Sequence, residues 1–290
     1  MRRPERCSLL IVPDMDSRMG SNINGPSLIR VPDWMPSRLG RYYLYFAAHS
    51  GTYIRLAYAD ELHGPWRMHE PGVLPLSASL FTDHIASPDV HVDDEHRELR
   101  MYYHGVVQDD VQMTRVATSR DGLHFSAREG LLGRSYFRVF RWRGAYYALA
   151  MPGVVYRSED GVTNFREGPA LFSERMRHSA VRVIGHTLQV FYTNAGDCPE
   201  RILLSEIDLR PDWMAWTTTP PRAVLEPETQ YEGVDLPLEP SERGEVNVPV
   251  RQLRDPAIYS EDGRTFLVYA VAGERGLALA ELPGKARDDV

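Results

Sequence analysis

A degenerate internal repeat constrains the fold of this 290-residue chain more than any other feature. Each copy opens with a short strand, continues with an aromatic strand, and closes with a third strand that ends in a turn. The first copy reads Gly25-Pro26-Ser27-Leu28-Ile29, then Tyr42-Tyr43-Leu44-Tyr45-Phe46, then residues 54–60; the later copies start near Ser87, Tyr136, His178 and Asp255. Five three-stranded units, each too small to bury its own faces, predict an all-β, five-bladed β-propeller.

The last copy has only three strands, at residues 255–259, 266–270 and 277–282. Residues 8–12 are apolar and supply the natural fourth strand. Pairing the N-terminal strand with the last blade closes the ring and covers an exposed sheet edge. At roughly fifty residues a blade, residues 1–290 are predicted to form one propeller domain.

Charge and hydropathy narrow the possible partners and the compartment. The formal net charge of −7 argues against nucleic acid as the main partner. No apolar run approaches the length of a membrane span, and the apolar stretch at 9–12 is too short for a signal-peptide core. We therefore predict a cytoplasmic protein without a nucleic-acid or membrane partner; the sequence carries no indication of oligomeric state.

Propeller topology sorts the polar residues between the two ends of the central channel. The starts of the first strands, the loops between second and third strands, and the connections between blades share one end, which we call the channel mouth. The side chains there that are predicted to bind the substrate, beyond the carboxylates considered below, are Asn24, His49, His104, Arg138, Arg177, His178, Asp197 and Arg254. Residues 226–250 form an unusually long connection at this end, and a loop of this length in a compact domain is usually functional. We expect it to be an ordered flap over the mouth.

Two motifs resemble those of a known enzyme class. Ser87-Pro88-Asp89-Val90-His91 resembles the Ala-Pro-Asp motif in the second blade of the five-bladed propeller glycosidases of family 43 and its relatives. Residues 55–60, followed by Gly64-Pro65-Trp66, look like the first blade of the same families. The resemblance implies a glycoside hydrolase with carboxylate acid/base catalysis in the central pocket. It also implies that Asp89 orients the substrate and tunes the acid.

The chain departs from the family pattern at two blade starts. Blade one has Gly25-Pro26 where the family has aspartate before proline, and blade three opens with Tyr136 where an acid is expected. The Asp-Pro pattern occurs instead at Asp255, in the last blade. Because glycoside hydrolysis requires two carboxylates, we predict Asp89 and Asp255 as the base and an orienting group. Glu232 or Glu200 is then the predicted general acid.

The arginines at the starts of blades three to five leave two interpretations open. If Arg138, Arg177 and Arg254 converge, they suit an anionic sugar or phosphate; otherwise they pair with nearby aspartates and hold the channel together. No zinc-site spacing is present, and a structural calcium or sodium ion in the channel is left open. The favoured prediction is an exo-acting hydrolase of short acidic oligosaccharides, whether uronate or sulfated. The alternatives are a glycoside phosphorylase and a non-catalytic carbohydrate-binding propeller.

Overall fold

The computed structural model describes residues 3–284 and arranges them as five antiparallel sheets around a central channel. This confirms the predicted five-bladed β-propeller. The N-terminal strand pairs with the last strand of the chain, with Glu5 opposite Glu281 and Ile11 opposite Leu277. The ring is therefore closed by residues from the two ends of the chain.

The strands follow the chain in blade order after the closing strand β1 (Glu5–Ile11). Blade one contains β2 (Asn24–Arg30), β3 (Tyr42–Ala47), β4 (Tyr53–Ala59) and β5 (Arg67–Pro75). Blade two contains β6 (Ile85–Asp93), β7 (Glu98–Gln108), β8 (Val111–Ser119), β9 (Ser126–Ala127) and β10 (Gly133–Arg134). Blade three contains β11 (Arg138–Trp142), β12 (Ala145–Ala150), β13 (Val154–Ser158) and β14 (Arg166–Ala170).

Blade four contains β15 (Met176–Ile184), β16 (Thr187–Asn194), β17 (Ile202–Asp208) and β18 (Arg222–Leu225). Blade five contains β19 (Arg254–Glu261), β20 (Arg264–Ala270) and β21 (Leu277–Leu282) together with β1. Single 3₁₀ turns lie at Pro13–Met15, Leu76–Ala78, Trp213–Ala215 and Gln230–Glu232. Among residues 3–284, no helix reaches the length and hydropathy that a membrane span requires.

The core is divided into five apolar clusters, and each cluster fills the space between two neighbouring blades. Strand β3 shows why the sequence produces this arrangement. Successive side chains of a strand point to opposite faces, so Tyr42 and Leu44 pack toward blade five while Tyr43 and Tyr45 pack toward blade two. Because both faces are buried, the second strands are apolar or aromatic throughout instead of alternating with polar residues.

The first strands line the channel. Strand β2 contacts β6 and β19, and β15 contacts β11 and β19, so the first strands of neighbouring blades meet around the axis. Polar groups at the starts of these strands are thereby brought to one end of the channel.

Candidate functional site

A bulge at the start of each first strand turns side chains into the channel mouth. In blades one, two, four and five, pairing with the second strand skips two residues: Gly25-Pro26, Ser87-Pro88, Arg177-His178 and Asp255-Pro256. Blade three matches this pattern with Tyr136-Phe137, which lie between the paired residues Ser135 and Arg138. Bulges bend a strand and re-aim its side chains. The aspartate of blade five therefore occupies the bulge position that glycine occupies in blade one.

Asp255 is a fully buried carboxylate, and neither of its oxygens has a hydrogen-bond partner among the described residues. Its backbone is left-handed, with φ of +47°, a conformation that costs energy in a residue other than glycine. Oδ1 lies 2.8 Å from Nδ1 of His178, although the angles are not those of a hydrogen bond. Burying an unsatisfied carboxylate is costly, so Asp255 lowers the stability of the folded protein at the channel mouth.

Three aromatic rings stack beside Asp255. The ring of Tyr136 lies between those of His104 and His178, with centroid distances of 4.1 and 4.7 Å. Its hydroxyl is 3.1 Å from Nε2 of His178. Burial lowers the pKa of His178 although Asp255 opposes the shift, and burial together with neighbouring positive charges holds the pKa of His104 well below its usual range. The stack is therefore uncharged at neutral pH.

Buried arginine and glutamate side chains form a second group at the mouth. Glu200 lies 3.3 Å from Nη1 of Arg177 and 3.4 Å from Nε of Arg254. Arg254 also contacts Glu274 at 3.1 Å, and Asn22 donates to Glu274 at 2.6 Å. Burial acts to raise the pKa of Glu274, but contacts with His49, Arg254 and Asn22 outweigh it and lower the pKa to about 2. Glu274 is thus an anion across the physiological range.

His49 lies in the loop between β3 and β4, on the other side of Glu274. Its Nδ1 is 3.5 Å from the Glu274 carboxylate, and its backbone N–H donates to the Asn22 side chain at 2.8 Å. Burial acts to lower the pKa of His49, but the Glu274 carboxylate outweighs it, so the pKa is raised. The side chain is 22 % exposed, so it is a histidine with access to the mouth whose protonated form is favoured by the neighbouring carboxylate.

Residues 241–247, which we call the capping segment, run across the mouth. Arg177 donates to the carbonyls of Glu242 and Gly244 at 2.9 and 3.1 Å, and Arg254 donates to the Gly244 carbonyl at 3.0 Å. The segment also contacts Gly196 in blade four and Asn22 in blade one. The predicted flap is ordered, and the part of it that covers the mouth is the capping segment.

The three blade-start arginines are held mainly by protein groups, although the Nη2 of Arg138 is buried without a partner within residues 3–284. Arg177 and Arg254 are held by carbonyls and glutamates, and Arg138 donates to the carbonyls of Ser179 and Pro88 at 2.7 and 2.9 Å. Arg138 also lies 3.8 Å from Asp89. The arrangement matches the interpretation in which the arginines hold the channel together, although the partners are mostly carbonyls and glutamates instead of aspartates.

Asp89 lies two positions beyond the residue that begins the bulge of blade two. Its Oδ2 accepts from the backbone N–H of Val139 in blade three and is 2.8 Å from Nε2 of His91. Burial acts to raise the pKa of Asp89, but His91, Arg138 and the Val139 N–H outweigh it, so the pKa is lowered. Asp89 therefore links two blades as an anion.

Two other predicted residues lie apart from the group around Asp255. Glu232 is fully buried, but it accepts from Arg6 of β1 at 2.9 Å, from the Tyr269 hydroxyl at 2.8 Å and from the N–H of Thr229 at 3.0 Å. Its carboxylate fastens the long connection to the outer strand of blade five, so the prediction that Glu232 is the general acid has no geometric support. Asp197 pairs with Arg175 at 2.6 Å.

Asn24 and His104 contribute free polar atoms to the mouth. Asn24 donates to Asn22 at 3.2 Å, while its Oδ1 and the Nδ1 of His104 are buried without a partner within residues 3–284. Buried polar atoms of native proteins are normally satisfied. These two atoms are therefore polar groups at the mouth that the described part of the chain leaves unsatisfied.

Sequence reasoning missed Glu274, which lies in the loop between β20 and β21. The loops between second and third strands lie at the mouth, and this rule correctly predicts the position of His49 in the loop between β3 and β4. The same rule applied to the loop between β20 and β21 would have predicted Glu274 as a mouth residue.

Within the described part of the chain, no group of three or more His, Cys, Asp or Glu side chains is arranged to hold a metal ion.

The departure at blade one has a steric cause that can be tested. Gly25 has φ of +59°, and a Cβ there would lie 2.8 Å from the Ser87 Cα. We expect Gly25→Asp to destabilise the fold by about 2–4 kcal/mol, because a left-handed backbone and overpacking both add cost. Gly20→Asp is the matched control, since Gly20 has φ of +68° with no atom within 4 Å. Equal melting temperatures for the two variants would contradict this explanation.

The class of protein that this architecture defines is the five-bladed β-propeller, and solved structures that share this fold include glycoside hydrolases of family 43. One similar solved structure is CoXyl43, a GH43 β-xylosidase/α-arabinofuranosidase from a compost microbial metagenome; identity is 13 %, coverage is 98 % of this chain and 96 % of that chain, and the TM-score is 0.65. Another is a GH43_1 enzyme from Xanthomonas citri, with 13 % identity, coverage of 94 % and 91 %, and a TM-score of 0.63. These likenesses establish the shared fold.

A relative is similar in sequence as well. The protein named "Uncharacterized protein R118" of Acanthamoeba polyphaga mimivirus is 37 % identical over 298 aligned residues, which cover 90 % of this chain and 84 % of the mimivirus protein. The chain belongs to the same family as this mimivirus protein. No protein-family model matches the sequence.

Proposed function

We propose that the protein is a glycoside hydrolase that removes sugars from the ends of short oligosaccharides, with Asp255 as its catalytic carboxylate. The observation that carries the proposal is the state of Asp255. It occupies a bulge at the channel mouth, it is fully buried, and both oxygens lack a hydrogen-bond partner in the described chain. A strained, unsatisfied carboxylate in a polar site is typical of a catalytic group.

Asp255 is assigned the role of general base, which takes a proton from the attacking water. Hydrolysis of a glycosidic bond needs such a base and a proton donor on the other side of the bond. His178 and Tyr136 orient the site, since the Nδ1 of His178 faces Asp255 and its Nε2 faces the tyrosine hydroxyl. Asp89 and Glu200 fix the mouth from blades two and four.

We infer a neutral sugar as the substrate. An anionic group would need several free guanidinium N–H donors. Arg177 and Arg254 already donate to the capping segment and to glutamates, which leaves the buried Nη2 of Arg138 as the donor without a partner in residues 3–284. The same contacts weigh against a phosphate site and hence against a phosphorylase. GH43 neighbours named as β-xylosidase or bound to xylose or xylotriose make pentose substrates the first choice.

The capping segment supports action on chain ends. Because residues 241–247 bridge blades four, five and one over the mouth, a mid-chain segment of polysaccharide has no open groove to lie in. We therefore expect a terminal sugar to be the part of the substrate that reaches Asp255.

A substrate panel tests the proposal. We expect 4-nitrophenyl β-xylopyranoside or α-arabinofuranoside to be cleaved with a kcat/KM at least about tenfold above that of the β-glucuronide, since an unpaired carboxylate is costly to bury. Xylotriose should release monosaccharide first. Preference for the glucuronide would reinstate the acidic substrate, and dependence on added phosphate would indicate a phosphorylase. Binding of xylotriose without turnover would indicate a carbohydrate-binding propeller.

A further inference from the structure

None of the carboxylates at the mouth has yet been assigned as the proton donor to the glycosidic oxygen. Glu274 accepts from Arg254 and Asn22, Glu200 accepts from Arg177, and Asp89 accepts from the Val139 N–H. Hydrogen bonds and positive charges directed at a carboxylate favour its ionised form. The lowered pKa values of Glu274 and Asp89 leave neither as a carboxylic acid donor. Glu200 is fully buried between the guanidinium groups of Arg177 and Arg254, and Asp255 is already assigned as the base.

We propose that His49, positioned by Glu274, is the proton donor of this site. The assignment rests on the proposed glycosidase function and replaces the carboxylic acid with an imidazolium. "Catalytic" applies to His49, which would touch the glycosidic oxygen; Glu274 acts through His49 and is a positioning residue.

The contacts of His49 fix which nitrogen can reach a substrate. Nδ1 faces the Glu274 carboxylate at 3.5 Å, and the backbone N–H is anchored on the Asn22 side chain. Asn22 also holds Glu274 at 2.6 Å, so one residue aligns both members of the pair. Because Nδ1 is directed at the carboxylate, the Nε2–H group of His49 is the one that can donate to a bound substrate. A carboxylate that orients one nitrogen of an imidazole and leaves the other for proton transfer is a recurrent catalytic arrangement.

The charged groups facing His49 favour its protonated form. Glu274 comes from blade five, Asp255 from the start of β19, and Glu245 from the capping segment, where it accepts from Ser50. The groups of opposite effect are Arg254, which contacts the same Glu274 oxygen as His49, and His104, which burial keeps neutral. Three carboxylates therefore surround one imidazole that remains partly exposed. His178 and His104 are fully buried in the aromatic stack and are not cationic at neutral pH.

The proton inventory of the step balances. As the bond between the anomeric carbon and the glycosidic oxygen breaks, the Nε2 proton of His49 passes to that oxygen, which leaves as an alcohol. Water adds to the anomeric carbon and gives a proton to Asp255. Asp255 then returns its proton, and His49 regains one, through exchange with solvent. The net reaction consumes one water and produces two hydroxyl-bearing sugars.

Leaving-group dependence tests this assignment. The 2,4-dinitrophenolate ion is a stable leaving group and departs without a proton, whereas methoxide must be protonated and leaves as methanol. Comparing the dinitrophenyl and methyl glycosides of the sugar identified by the substrate panel therefore separates proton donation from the other roles of a residue. We expect His49→Gln to lower kcat/KM about a hundredfold or more on the methyl glycoside and by less than about fivefold on the dinitrophenyl glycoside. His124→Gln is the matched control, because His124 makes a similar contact with Asp121 at 2.8 Å outside the mouth.

A pH profile supplies the second readout. Since His49 must be protonated, kcat/KM on the methyl glycoside should fall as pH rises through the raised pKa of His49. Glu274→Gln removes the carboxylate that raises this pKa, so the basic limb should move to lower pH, and the imidazole titration seen by NMR should move with it. Equal loss on both glycosides in His49→Gln, or an unmoved basic limb in Glu274→Gln, would overturn the assignment. A wild-type protein that cleaves neither glycoside would instead remove the proposed function, and the donor with it.

Discussion

Replacing Asp255 with asparagine is expected to lower kcat/KM by about 10²–10⁴-fold, the usual contribution of a general base, while leaving the melting temperature unchanged or raised. An unchanged or raised melting temperature is unusual for the substitution of a fully buried residue. It follows because neither carboxylate oxygen is hydrogen-bonded within residues 3–284, so a neutral amide relieves desolvation without breaking a hydrogen bond. Turnover of the best aryl glycoside and a thermal denaturation curve of the same sample measure both effects.

Asp121→Asn is the matched control for this variant. Asp121 also contacts a histidine, but its carboxylate accepts from the N–H groups of Leu123 and His124 in a turn outside the mouth. Its replacement should leave turnover unchanged and lower the melting temperature. Full activity in Asp255→Asn, or a loss of activity that merely follows a loss of stability, would contradict the assignment of Asp255.

Replacing Arg254 with methionine is expected to produce the largest loss of stability, about 3–5 kcal/mol. Arg254 is fully buried and its guanidinium lies between Glu200 and Glu274. Removing one member of a buried ion pair leaves charge without compensation in a medium that solvates it poorly. For a domain of this size the melting temperature should fall by about 10 °C. The capping segment should also loosen, because Arg254 donates to its Gly244 carbonyl.

Arg264→Met provides the comparison within the same blade. Arg264 pairs with Glu281, but its side chain is 54 % exposed, so its removal should change the melting temperature little. Adding Glu274→Gln to Arg254→Met should recover part of the loss, since the double variant buries one fewer unpaired charge. A melting temperature for Arg254→Met equal to that of Arg264→Met would show that the buried network does not stabilise the fold.

The mouth residues illustrate how far topology alone reaches. Knowing that first strands begin at the mouth was enough to bring together Asp255, His178, Arg177 and Arg254, because a strand start is a local property of the sequence. The same rule failed for Glu232, whose partner Arg6 lies 226 residues away in the N-terminal strand. The long connection was expected to be a flap as a whole, but the stretch around Glu232 is fastened to the outer edge of blade five.

The sequence by itself determined the number of blades, the strand positions and the closure of the ring, because side-chain alternation and turn residues act over a few neighbouring positions. Only the tertiary structure decided which polar groups at the mouth satisfy one another. Arg177 and Arg254 are occupied by carbonyls and glutamates, Glu274 aligns His49, and Asp255 is left without a hydrogen bond. Such pairings depend on distances of a few ångströms between residues from different blades, and no local pattern in the chain encodes them.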